Sequence, residues 1–226
     1  MDINMQLLPS NHRLRLFEKY PKTGITIHST ANPKSTAQNE RNWLDNPTNK
    51  RLASWHFVVD ENEVIQAISI SETSMHCGNT KGNRESISVE ICESGNRKNT
   101  LENAAKFVAY LIKTTNFSVS DVTTHNFWVG KNCPRILIDK DFIVGGMDWN
   151  YFIGRIEYYV NGEDEEDMVR YNTISEIIKE VPYARATIQK LIDLKMFADK
   201  DKLDLSKDMI RVFVLNDRIG LYDKKC

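Results

Sequence analysis

The chain has 226 residues, 41% of them hydrophobic and 27% charged, with a formal net charge of −1. That length and composition suit one full core, or one domain with a smaller partner. The near-zero charge, without a basic tract, gives no electrostatic case for nucleic acid, and no apolar stretch approaches membrane-spanning length.

The opening residues, MDINMQLLPSNHRLRLFEKY, lack a basic start followed by an apolar run, so no secretory signal is expected. GITIHSTANPK then reads as a buried strand through Ile25 and Ile27 that ends on a histidine, His28. Ser35, with Gln38 three positions on, makes a capping-box pattern that should start a helix. SWHFVVDENEVIQAI predicts a hairpin turning at Asp60 to Asn62. SISVEIC, residues 86 to 92, predicts a strand with Ile87, Val89 and Ile91 on one face and Ser86, Ser88, Glu90 and Cys92 on the other. A helix should follow, capped by Thr100. SVSDVTTH repeats the opening theme, a short strand ending on His125, and a last helix is expected over about Asp148 to Val160. Strands mixed with helices in this way predict an α/β domain with a central mixed sheet flanked by helices.

The composition changes at NGEDEEDMVRYN, where five consecutive acidic residues, Glu163 to Asp167, read as a solvated linker. Beyond it, Thr173 and Glu176 form another capping box, and Pro182 ends or restarts that helix. Ile188, Leu191 and Ile192 mark one helical face; Ile210, Phe213 and Val214 mark another. The expected organisation is a first domain over residues 1–160, a linker over 161–170 and a small helical bundle over 171–226. The purine-rich codons of the acidic run, just before Met168, also raise an internal start that would release a separate C-terminal fragment.

The four cysteines, Cys77, Cys92, Cys133 and Cys226, show no CxxC and are read as reduced thiols. Cys133 stands apart, because it follows His125 by eight positions in THNFWVGKNCPR. Two imidazoles and a thiolate can hold zinc tetrahedrally with one position left for water. Lys131 and the strand entry are expected to help keep Cys133 as thiolate. Spacing alone leaves both a metal site and unrelated residues open. Glu90, a mid-strand carboxylate, is either a solvent-facing position or a general base beside the metal.

Taken in order, ITIHST, SWHFVVDENEVIQAI, MHCGN, GNRESISVEIC and THNFWVGKNCP resemble the zinc-dependent N-acetylmuramoyl-L-alanine amidases, the family related to peptidoglycan recognition proteins. The likeness spans roughly residues 20 to 155 and points toward lysins of phages and prophages of Gram-positive bacteria. It implies one Zn²⁺ per chain held by His28, His125 and Cys133, with Glu90 as acid–base group and Lys131 stabilising the oxyanion. It further implies bacterial peptidoglycan as substrate, and a protein made in the host bacterial cytoplasm that reaches the cell wall at lysis. Where one branch of the family has tyrosine before the second-strand histidine, this chain has Trp55, whose indole N–H cannot do a phenol's acid–base work. Ser29 and Asn126, beside the ligands, are candidate substrate contacts. His56 is either a groove-lining substrate contact or a packed histidine, and His76 is a loop or groove residue. Residues 171–226 resemble a short helical wall-binding module of some lysins; the alternative is a stabilising appendage or an oligomerisation element.

Two further readings remain beside the amidase. One is a non-catalytic muropeptide-binding module of the same fold, which the presence of Glu90 and Cys133 disfavours. The other is a cysteine peptidase using Cys133 and His125, although common wall-cutting cysteine peptidases place the cysteine first in the chain.

Overall fold

The structure, a computed structural model, describes residues 3–162, 170–205, 207–218 and 222–223. It divides into two compact units, Met1–Asn161 and Gly162–Cys226. The acidic run and Met168 lie outside the described residues.

The first unit is built on six strands: β1 (Asn4–Met5), β2 (Gly24–Ser29), β3 (Phe57–Val59), β4 (Val64–Gln66), β5 (Ser86–Ile91) and β6 (Val122–Thr124). They lie in the order β1-β4-β3-β5-β2-β6, and only β3 and β4 pair antiparallel. Those two form the expected hairpin. Asp60 shapes its turn, its Oδ1 accepting from the backbone N–H groups of Asn62 and Glu63.

Alternation sorts the sheet into two faces. Ile25, Ile27, Phe57, Val59, Ile87, Val89 and Ile91 pack against α3 (Arg97–Thr115) and α6 (Trp149–Val160), burying Leu101, Phe107, Val108, Phe152 and Ile156 with them. Glu102 fastens the two helices, accepting hydrogen bonds from Tyr151 Oη, Tyr159 Oη and Arg155 Nε. The other face carries Thr26, His28, Val58, Ser86, Ser88 and Glu90. Its apolar part packs with Leu44 of α1 (Ala37–Asp45), with Trp55 and with Cys92.

Two helix starts differ from the sequence reading. Helix α1 is capped by Thr36, whose side chain accepts from the Asn39 N–H. Ser35 is buried one residue earlier, and Gln38 bonds Gln6 and Asn42 instead of closing a capping box. Helix α3 starts three residues before Thr100, capped by Asn96, and Thr100 is buried inside its first turn. In each case a better-placed side-chain oxygen, one residue on at α1 and four residues back at α3, takes the cap. The short helices α2 (Thr80–Glu85), α4 (His125–Val129) and α5 (Arg135–Ile138) lie between these elements.

The second unit holds α7 (Ile174–Glu180), a 3₁₀ turn at Pro182–Ala184, α8 (Arg185–Asp193) and α9 (Lys207–Arg218). Thr173 and Glu176 form the expected capping box. Ile177, Val181, Ile188, Leu191, Ile210 and Val214 share a small core, and Tyr171 pairs with Leu205 across an antiparallel bridge. Asp217 joins α9 to α8 by accepting from Thr187 and Lys190. No helix among the described residues is long and apolar enough to cross a membrane.

Phe107 is fully buried and packs edge-on against Phe57, ring centroids 4.7 Å apart. Phe107→Ala should therefore destabilise the first unit by about 3–5 kcal/mol. All four tryptophans lie in that unit, so the midpoint of urea unfolding followed by tryptophan fluorescence reads this loss directly.

Candidate metal centre and groove

The parallel pairing of β2 with β5 sets Ile27 beside Val89 and, one step on, His28 beside Glu90. Paired residues of neighbouring strands share a face, so the apolar step fills the core and the next step delivers an imidazole and a carboxylate to the other side. On the opposite edge of β2, β6 pairs Thr124 with Ile27, and His125 follows as the first residue of α4. His28 and His125 are thereby brought to 4.6 Å between ring centroids.

A tight loop supplies the third group. Gly130 adopts the left-handed conformation, φ 69°, and closes α4 through its N–H to the Asn126 carbonyl. The Asn126 N–H donates to the Cys133 carbonyl and its side chain to the Lys131 carbonyl, folding the loop back. Cys133 Sγ comes to 3.8 Å from His28 Nδ1 and accepts from the Ser29 N–H at 3.5 Å. Behind it, Arg135 grips the buried Glu93 carboxylate with two nitrogens, and Glu93 also accepts from the Ala31 N–H.

The ligand atoms of His28, His125 and Cys133 lie within 4.8 Å of one another, and all three residues are buried. Tetrahedral zinc with bonds of 2.0–2.3 Å needs donors about 3.5 Å apart, so the trio fits such an ion after small adjustments. Unpaired polar atoms point the same way. His125 Nδ1, Glu90 Oε2, Ser29 Oγ, Thr30 Oγ1 and Trp55 Nε1 are buried without a partner, and all five residues line one groove.

Hydrogen bonding fixes the ring tautomers. His76 Nε2 faces the Gly82 carbonyl, which can only accept, so His76 Nδ1 is left to accept from His28 Nε2 at 2.9 Å. His28 Nδ1, turned toward Cys133, then keeps its lone pair for a metal. The Cys77 carbonyl accepts from His125 and leaves Nδ1 of that ring free in the same sense. Burial, with neighbouring imidazoles, holds His28 well below the ordinary histidine range, and burial with Lys131 brings His125 down to about 4. Both rings are neutral at pH 7, the form that ligates.

Lys131 and the Ser29 N–H favour the thiolate, and the rest of the surroundings oppose it. Burial and the Glu90 carboxylate push Cys133 up to about 12, outweighing the pull of the Ser29 N–H and Lys131. Lys131 alone does not hold a thiolate here; a bound cation is what would. Glu90 is pushed up to about 8 by burial and by Glu40, against Lys131. Its Oε1 lies 3.9 Å from His28 Nδ1.

Ser29, read from sequence as a substrate contact, and Lys131, read as the oxyanion group, both line the groove. His56 does not: it is fully buried, its Nε2 bonded to the Glu72 carbonyl and its Nδ1 to Ser88 and Ser74, so it is the packed histidine. Asn126 likewise stays outside the groove lining, its side chain spent on the loop. The residue underrated from sequence is His76, which touches a proposed ligand directly. Gly82 makes that contact workable, because a Cβ there would meet Cys77 Sγ at 2.4 Å and the Trp128 ring at 2.8 Å. His76→Ala should lower metal affinity about 10–100-fold with the fold kept. Competition against a chromophoric chelator, with circular dichroism alongside, checks this; unchanged affinity would remove His76 from the site.

Comparison with known proteins places the chain in a family. The family model described as N-acetylmuramoyl-L-alanine amidase matches residues 18–136. The amidase CwlH of Bacillus subtilis (strain 168) is 34% identical over 189 residues, covering 78% of this chain and 71% of its own length. XlyA of the same organism, also named an N-acetylmuramoyl-L-alanine amidase, is 37% identical over 140 residues, covering 57% of this chain but 46% of its own. The chain thus spans about half the length of some curated relatives it matches. Among solved structures, the catalytic domain of XlyA aligns over 69% of this chain and 99% of that domain, with 33% identity and a TM-score of 0.61. The structure of PlyL aligns over 69% of this chain and 97% of its own, with 34% identity and a TM-score of 0.60. The chain belongs to the N-acetylmuramoyl-L-alanine amidase family.

Proposed function

We propose that this protein is a zinc-dependent peptidoglycan hydrolase that cuts the amide between the lactyl group of N-acetylmuramic acid and L-alanine of the stem peptide. The observation that carries the reading is the convergence of His28, His125 and Cys133 in one groove with Glu90 and Lys131. His28, His125 and Cys133 would hold the zinc. Bound there, zinc supplies Lewis acidity that polarises the substrate carbonyl and acidifies water.

The chain's own residues do the rest. Glu90, beside His28, takes a proton from the attacking water and passes it to the departing amine. Lys131 places its ammonium at the groove to offset charge developing on the carbonyl oxygen. Ser29 and the unpaired Thr30 hydroxyl offer hydrogen bonds to the stem peptide.

A thiol peptidase fits the same residues poorly. A Cys133 thiol pushed up to about 12 is a weak nucleophile, and a His125 brought down to about 4 is a weak base. Residues 171–226 are proposed to bind the cell wall and hold the catalytic unit near its substrate. The family likeness also supports a phage or prophage lysin acting at the wall after release from its host.

Glu90→Gln should retain one zinc per chain and lose about 10²–10⁴-fold in kcat. Cys133→Ser should lose zinc at moderate chelator concentrations. Metal analysis beside turnover on purified walls tests both, and near-normal turnover by Glu90→Gln would sink the acid–base assignment.

A further inference from the structure

The stretch MHCGN, residues 75 to 79, supplies none of the reacting groups, yet both ligand histidines lean on it. His76 Nδ1 accepts from His28 Nε2 at 2.9 Å, and the carbonyl of the next residue, Cys77, accepts from His125. Two neighbouring residues thus serve two rings that come from different elements, β2 and α4. Where this pair sits decides which nitrogen of each ring faces the trio.

The residues that follow say what holds the pair. Gly78, φ 66°, turns the chain directly after Cys77, and Asn79 caps α2 by accepting from the Gly82 N–H. Helix α2 then brings Asn83 back beside the loop. Asn83 Oδ1 accepts from the His76 N–H at 3.0 Å, the Cys77 N–H at 2.9 Å and the Cys77 thiol at 3.3 Å. An asparagine that closes a loop is ordinary. Here both backbone donors belong to the two residues that orient the ligand rings, and one oxygen takes both.

The frame around Asn83 is fixed by other bonds. The Gly82 carbonyl accepts from Ser86 Oγ at 2.8 Å. Ser86 Oγ lies 2.8 Å from Thr26 Oγ1, which accepts from the Trp128 indole N–H at 2.9 Å. Helix α2 is tied in this way to β5, β2 and α4, the elements that carry Glu90, His28 and His125. On the other side of the pair, the Met75 N–H donates to Ser54 Oγ and the Met75 carbonyl accepts from the Ser54 N–H. Removing the Asn83 oxygen therefore frees His76 and Cys77 while the strands and the start of the loop keep their bonds.

Resting on the metal reading of the trio, we infer that Asn83 is a positioning residue for both imidazole ligands, holding His28 through the His76 ring and His125 through the Cys77 carbonyl. A change at Asn83 reaches two ligands, whereas a change at His76 reaches one.

Zinc competition against a chromophoric chelator, with circular dichroism alongside, tests this. Asn83→Ala should bind zinc about 10–100-fold more weakly than the wild-type protein. Asn83→Asp, which retains an oxygen at the same reach, should recover most of that loss. In a His76→Ala background, Asn83→Ala should still weaken binding about fivefold or more, through His125. Unchanged affinity in Asn83→Ala, no recovery in Asn83→Asp, or no further loss in the double variant would overturn the inference. Nitrogen-15 NMR of the metal-free protein reads the rings without zinc. The wild-type protein should show His28 and His125 each as one tautomer, protonated on Nε2, and Asn83→Ala should mix the tautomers of both. If the wild-type protein binds no zinc, the metal reading falls and the NMR comparison decides alone; single tautomers in Asn83→Ala would then end the positioning role. Should Asn83→Ala not fold, Asn83→Gln, whose oxygen sits one methylene farther out, replaces it in each comparison with the same expected result.

Discussion

The site depends on the register between β2 and β5. Because the two strands run parallel in step, Ile27 and Val89 enter the core together and His28 and Glu90 leave it together. A slip of one residue would carry the imidazole and the carboxylate into the apolar layer under α3 and set isoleucine and valine in the groove. The buried core-face side chains Ile25, Ile27, Phe57, Val59, Ile87, Val89 and Ile91, packed against Phe107 of α3, oppose that slip. The positions of the reactive groups are thus held by residues that take no part in the chemistry.

Burial then decides what those groups can do. The same low-dielectric surroundings keep His28 and His125 neutral, raise Glu90 toward neutrality and keep Cys133 protonated. Neutral imidazoles ligate as they stand, whereas the thiol gives up its proton only in exchange for a cation. Metal loading should therefore release a proton and change the charge felt by Glu90. The hydrogen bonds from His28 through His76 to the Gly82 carbonyl complete this preparation, since they fix which nitrogen keeps its lone pair.

Much of the site was legible in the sequence because strand alternation carries it. ITIH and SVEIC each announce an apolar face and a residue of the opposite face, and the structure brings His28 and Glu90 together by pairing them. Cys133 was legible only through the family resemblance, because its spacing from His125 by itself left a metal site and unrelated residues equally open. The tasks of His56 and His76 were less so, because both depend on backbone carbonyls, Glu72 and Gly82, that belong to other elements. A histidine bonded to a remote carbonyl looks the same in sequence as one that lines a groove. The α1 and α3 starts shifted for a related reason: more than one capping residue stands within a turn of each start, and Ser35 and Thr100 are buried by tertiary packing.

The most direct measurement is mass spectrometry of purified Gram-positive peptidoglycan after digestion by the protein, with and without a zinc chelator. The account predicts free stem peptides beginning at L-alanine, intact glycan strands, and no cutting under chelation. Cleavage at another bond, or cleavage that survives chelation, would contradict it.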